Sequence, residues 1–390
     1  ELMDARPSAN LANRHRRNYS NITGRGLAQS SMAFCTNEPS PLTEERLAPE
    51  EEKFIGDISQ VALLMQFDLD VRSEVMTNPL LSQLLYTVYD KRRLSETNIL
   101  LQQKICESLS ASVNNELMEI KQYAYLFSSI TRFFLLLNKL FIRTQKTSIS
   151  SFINTIIPDL CTLYDKMLAR VVPQIKTALT QTLKCQLAHC KDLLRVLEDF
   201  RKLLESMRVL HCFTSVIGAH LVKIINVTFV TEVVDPSERF CTYEVGMNAS
   251  MLICYLDEYF RKQPMFASTA RAQFDIISEV SRVLLLGDKT ILVEEDVRNN
   301  VCPHLSLSKI TSLLQGIVSS KESEGQAILN AIRTLSTQDF AENTNYDYST
   351  PKLTKQAVWD ALAAQQNTCF VDFDLAQTPF AERPYLLPKL

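Results

Sequence analysis

Between Ile120 and Phe141 apolar side chains return in alternating steps of three and four, through Tyr123, Phe127, Ile130, Phe134 and Leu137. That period places them on one face of an α-helix. Phe133, Leu135, Leu136 and Leu140 spread apolar surface round the other side, so the helix expected over 118–143 must be enclosed by neighbours. It could also be read as a short membrane hairpin, but Arg132, Asn138 and Lys139 interrupt it. The same helical period recurs along most of the chain, while only 8 of its 390 residues are Gly. Tight hairpins and phosphate loops need positive φ, which Gly supplies at least cost. An all-α fold follows.

Residues 1–42 are polar and aperiodic and read as a flexible lead-in. Order is expected from Thr43-Glu-Glu-Arg and Glu50-Glu-Glu, where acids suit the first turn of a helix. Helices are then expected near 79–92, 96–115 and 118–143, and through 150–186, where Pro158 and Pro173 should each start or kink one. The longest helical stretch runs from 190 to 232. It runs into Ile224-Ile-Asn-Val-Thr-Phe-Val-Thr, a β-branched run with strand propensity, so a strand there stays open as the alternative. Beyond Asp235-Pro-Ser come helices near 247–262, 268–286, 292–301, 306–318 and 322–336. Gly287 stands where a left-handed C′ residue belongs, and Ser319 with Glu322 has capping-box spacing. A polar loop at 337–353, a short helix at 354–365 with Trp359, and an extended tail at 366–390 complete the chain. The domains are thus 1–42, 43–190, 191–336 and 337–390.

The chain is long enough for two or three packed units. Its net charge of -3 gives no reason to expect nucleic acid; Arg6, Arg14, Arg16, Arg17 and Arg25 make the lead-in locally basic. Ten scattered cysteines, mostly within apolar stretches, suit a reducing compartment better than a disulfide framework. No uninterrupted apolar run of about 18 residues appears, so a soluble, cytoplasmic protein without a transmembrane segment is expected.

Catalytic and cofactor chemistry finds little purchase. Cys185, His189 and Cys190 share a helix turn but lack the second ligand pair of a zinc site. Gly24-Arg-Gly26 lacks the Lys and Ser/Thr of a phosphate loop. His211, Cys212 and His220 on an apolar helix read as packed residues, and Glu294-Glu-Asp296 as a helix N-terminus. No catalytic residue, metal or cofactor is expected.

The second half resembles the dilute domain at the end of class V myosin tails. The matching stretches are Ile224-Ile-Asn-Val-Thr-Phe, Phe240-Cys-Thr-Tyr-Glu-Val-Gly246 and Leu252-Ile-Cys-Tyr-Leu-Asp-Glu-Tyr259. They continue in Val283-Leu-Leu-Leu-Gly-Asp-Lys289-Thr, Val301-Cys-Pro-His-Leu-Ser-Leu-Ser308 and Ala327-Ile-Leu-Asn-Ala-Ile-Arg-Thr-Leu335. Upstream, Tyr125-Leu-Phe-Ser-Ser-Ile-Thr-Arg-Phe133-Phe resembles the tail segment before that domain, so the likeness spans roughly 50–335. The sequence departs from the family where Val227-Thr-Phe-Val-Thr-Glu-Val-Val replaces a basic leucine run, and where the family's Trp near the Cys is absent, with Tyr243 in that neighbourhood.

Membership would imply an elongated rod of two helical bundles joined by long helices, with an extended C-terminal strap. It would imply a globular tail of an actin-based motor, with vesicle adaptors or small GTPases as partners. Docking on its own motor head, in autoinhibition, would fall to the position of Lys289; the residue also reads as a solvated turn lysine. Phe370, Phe373, Phe380 and Tyr385 are candidate strap or partner contacts. A non-motor dilute-domain scaffold and a subunit of a helical-rod tethering complex are the alternatives.

Overall fold

The computed structural model describes residues 47–70, 79–91, 99–144, 147–184, 190–234, 241–263, 274–319, 325–337 and 346–365, with residues 89–91 and 184 as backbone only. Among them are fourteen α-helices and no strand. The first six are α1 (Pro49–Ser59), α2 (Val61–Asp70), α3 (Leu80–Lys91), α4 (Ile99–Asn114), α5 (Ile120–Thr144) and α6 (Thr147–Lys184). Next come α7 (Cys190–Ser206), α8 (His211–Val233), α9 (Tyr243–Lys262) and α10 (Asp275–Leu285). A 3-10 turn (Lys289–Val293) precedes α11 (Glu295–Val301), α12 (Leu307–Ser319), α13 (Gly325–Ser336) and α14 (Lys355–Ala364). One connected apolar core runs from Phe54 to Leu362, within the compact unit formed by Arg46–Leu390.

Local chemistry explains most of the helix ends. Pro49 opens α1 with Glu50, Glu51 and Glu52 in its first turn, and Glu51 Oε2 accepts from the Ala48 N–H at 3.0 Å. Thr242 caps α9 by accepting from the Val245 N–H at 3.3 Å, and Thr354 caps α14 through Ala357 at 3.1 Å.

The structure corrects several expectations. Pro158 and Pro173 start no helix; both lie inside α6, which runs unbroken for 38 residues. An interior proline costs about 3 kcal/mol. Here packing outweighs it, because α6 meets α4, α5, α7, α8, α9 and α14 and buries Ile153, Ile156 and Leu160 completely. The stretch 190–232 is two helices. Arg208 breaks it in the left-handed region at φ 57°, where the N–H groups of Arg208 and Val209 return to the Glu205 and Leu204 carbonyls, both at 2.9 Å. This is a Schellman turn closed without glycine, a conformation that costs roughly 1–2 kcal/mol for a residue with a side chain. Helix α5 holds it: Ser128 Oγ and Arg132 Nη2 donate to the Arg208 carbonyl at 2.9 and 2.8 Å.

The β-branched 224–232 segment is helix within α8, with Ile224, Ile225, Asn226, Phe229 and Val230 buried and Thr231 exposed. Ser319 ends α12 instead of capping the next helix, and Glu322 lies outside the described residues. No described glycine has positive φ; α10 leaves through an extended Leu286 at φ -63° and ψ 127°, so Gly287 is not a left-handed cap. The helix expected over 292–301 is divided by Glu294 into the 3-10 turn and α11. Helices α5 and α8 are long and apolar enough to cross a membrane, and 67% of each most apolar window is buried inside the protein.

Candidate functional site

Helix α9 is held close to α10 by its missing side chain at Gly246. A Cβ there would stand 2.8 Å from Leu284 Cβ, and Ser281 Oγ donates to the Gly246 carbonyl at 2.7 Å. Val245, Ala249, Leu252, Leu256 and Phe260 fill the buried face. Tyr259 reaches α7, its hydroxyl donating to Glu198 Oε2 at 3.3 Å.

The outer face is unusual for a solvent face. Tyr243, Met247, Met251 and Tyr255 are 57%, 43%, 37% and 43% exposed. Spaced four apart, they climb the helix as one slanting ridge. Exposed Ser250 and Cys254 fill the gaps, and Glu244 is the only exposed charged residue between Tyr243 and Tyr255. Charge returns in the last turn, where Asp257 pairs with Arg261 and Glu258 with Lys262. Of the nine large apolar side chains exposed among the described residues, four form this ridge; Leu63 and Leu117 line one cleft, and Ile99, Ile142 and Leu329 stand on three other helices.

A second feature lies where the segment 346–354 crosses α8 and α10. It bounds a cleft of about 1080 Å³, lined among others by His220, Lys223, Asp275, His304, Asp347 and Lys352. Lys223 Nζ meets Asp347 Oδ2 at 2.6 Å, and this contact holds the Asp347 carboxyl well below its usual range. Lys309 lies over the Tyr348 ring at 5.7 Å, and Tyr346 and Tyr348 meet edge to face at 5.0 Å. His220 Nδ1 is 2.5 Å from the Tyr164 hydroxyl; burial, with Lys223 adding to it, pushes the imidazole down to about 4. The cleft thus holds charges of both signs. Among the described residues no cluster of three or more His, Cys, Asp or Glu could hold a metal.

Buried charged side chains shape the irregular chain between α10 and α12. Glu279, 1% exposed, accepts from the His304 and Leu305 N–H groups at 3.0 Å and meets His304 Nδ1 at 2.5 Å. Arg298 Nη1 donates to the Leu292 and Val293 carbonyls at 2.9 and 2.6 Å. Lys289 is not a solvated turn lysine: it is 6% exposed, and its ammonium donates to the Leu286 carbonyl at 3.0 Å. Such charge-assisted bonds satisfy backbone groups that no helix serves.

Of the other residues singled out in the sequence, Phe370, Phe373, Phe380 and Tyr385 lie outside the described residues, as do Cys185, His189 and the Gly24-Arg-Gly26 stretch. Cys190 is buried at the start of α7, and Glu295 and Asp296 occupy the first turn of α11 as expected. The ridge on α9 escaped sequence reading. Its signal was the four-residue spacing of Tyr and Met, which means exposure only once the opposite face is known to be the packed one.

The DIL domain family model matches residues 216–320, covering α8 to α12 almost entirely. No curated protein sequence matches the chain. Among solved structures, Myo2-GTD in complex with Smy1 superposes with a TM-score of 0.61 at 11% identity, over 86% of this chain and 95% of that one. Apo Myo2-GTD gives 0.60 at 10%, over 86% and 96%, and Myo2-GTD in complex with Inp2 gives 0.59 at 10%, over 86% and 95%. Residues 216–320 are therefore similar to the DIL domain, set in a fold shared with the Myo2-GTD structures.

Proposed function

We propose that this chain is the cargo-binding globular tail of an actin-based motor, linking vesicles or organelles to it through adaptor proteins. The observation that carries this reading is the extent of the likeness: 95% of Myo2-GTD in its complex with Smy1 is matched, well beyond the DIL domain itself. A scaffold that shares only the DIL domain has no reason to keep α1 to α7 in the same arrangement. Binding of small GTPases and contact with the chain's own motor head belong to the same reading. In it Lys289, whose ammonium ties the exit of α10, keeps the shape of the turn that meets the head. The residues 366–390 act as a strap, so deleting them lowers the melting temperature; an unchanged value removes the strap.

Membrane flotation tests the cargo role. Expressed alone in cells, the chain should rise with membranes in a density gradient, and protease treatment of those membranes beforehand should abolish this. A chain that stays at the bottom, or that floats equally with protein-free lipid vesicles, overturns the adaptor reading.

A further inference from the structure

We propose that the ridge Tyr243–Met247–Met251–Tyr255 is the dock for one short amphipathic segment of an adaptor, apolar at helical spacing and carrying a basic residue at one end to meet Glu244. This rests on the adaptor-binding reading above and adds where the contact is made and what chemistry it recognises.

The residue types favour binding over chance exposure. Tyr and Met are enriched in interfaces; Met adapts its unbranched side chain to different partners, and Tyr offers a large rigid face at low entropic cost. A solvated helix face normally carries charges, yet over three turns this one has only Glu244. The four charges of the last turn are already paired with one another, so they place no demand on a partner. The remaining complementarity is an apolar strip with a cation at the Glu244 end.

Size decides the kind of occupant. The ridge spans 13 residues, or roughly 20 Å at 1.5 Å per residue, the length of three to four turns of a partner helix. With about 200 Å² for each complete side chain, the exposed fractions leave roughly 350 Å² of ridge. A stable protein–protein interface needs about 800 Å² from each partner. A second copy of the chain laid along this helix alone would supply less than half of that, whereas a short helical peptide held in a weak, transient contact matches the ridge in length and area.

The test uses the full chain and, as probe, a phage-displayed library of random 16-residue peptides. Enriched peptides should show apolar residues at i, i+3 or i+4, and i+7, with Lys or Arg at one end. The double substitution Met247→Lys with Met251→Lys should weaken their binding at least tenfold by fluorescence polarisation, with a melting temperature within a few degrees of wild type. Glu244→Lys should weaken it several-fold and shift the selected peptides towards acidic ends. If the double variant fails to fold, Tyr255→Ser serves in its place. Peptides without this pattern, or peptides indifferent to these substitutions, overturn the proposal. A wild-type dimer in sedimentation that the lysines dissociate overturns it in favour of self-association. Flotation separates the two readings: a double-lysine chain that still floats with membranes sinks the ridge alone, while a wild-type chain that does not float sinks the adaptor reading.

Discussion

Helices α8 and α9 stand next to each other in sequence, and both are well supplied with apolar residues, but they use them in opposite ways. In α8 apolar side chains point in every direction, and Ile217, Leu221, Ile225 and Phe229 are all within 1% of complete burial. In α9 the apolar residues divide. One set fills the seam with α10, and the other set, Tyr243, Met247, Met251 and Tyr255, is left in water. The difference lies in how much of each helix is covered: each packs on three others, yet only two of the 23 residues of α8 are exposed, against ten of the 20 in α9. Apolar content therefore marks a core helix in one case and a docking face in the other.

Matched truncations sharpen that contrast most. Phe229→Ala in α8 should cost about 3–5 kcal/mol, since the ring has no exposed surface to return to. Met251→Ala in α9 should change stability by no more than about 0.5 kcal/mol. Denaturant unfolding of both variants checks this, and equal costs would mean that the ridge is core after all. Next in size is the seam. Gly246→Ala pushes a methyl against Leu284 and should destabilise by ~1–3 kcal/mol, with an altered α9–α10 spacing that would disturb the ridge. A neutral result would show that α10 can move away freely.

A further contrast separates α8 from α9 by pH. His220 on α8 is held neutral, its folded value depressed to about 4 from the ordinary 6.5. The unfolded chain therefore takes up a proton first as pH falls. Stability should be fully present above pH 6.5 and decline towards pH 4, by no more than about 1 kcal/mol per pH unit. Partial exposure of the ring reduces this further. Thermal melts across that window should slope for the wild type and flatten for His220→Gln; identical slopes would remove the assignment.

Which parts of this molecule could be read from sequence follows the same physics. The all-α class and helices such as α5 were legible because period and burial agree there, with 14 of its 25 residues buried. The dilute resemblance was legible because it rests on the order of apolar motifs along the chain, most of which lie within the matched residues 216–320. The turn at Arg208 was not, since nothing in Ser206-Met-Arg-Val209 announces a left-handed residue; its stability comes from Ser128 and Arg132, far away in the chain. Continuity through Pro158 was hidden for a related reason, the compensation coming from six surrounding helices. Lys289 looked solvated because a lysine beside Gly and Asp usually is, and only the fold brings the Leu286 carbonyl within its reach. The ridge required a subtraction: the exposed face of α9 appears after the packed one is known.

The most direct test of the account asks whether the natural polypeptide that contains this chain behaves as a motor. An antibody raised against residues 1–390 should be used on native lysate, with actin filaments sedimented in the presence and absence of ATP. The motor-tail account predicts a polypeptide much larger than the 44.4 kDa of this chain, pelleting with actin and released by ATP. A polypeptide whose sedimentation is the same with and without ATP would contradict it.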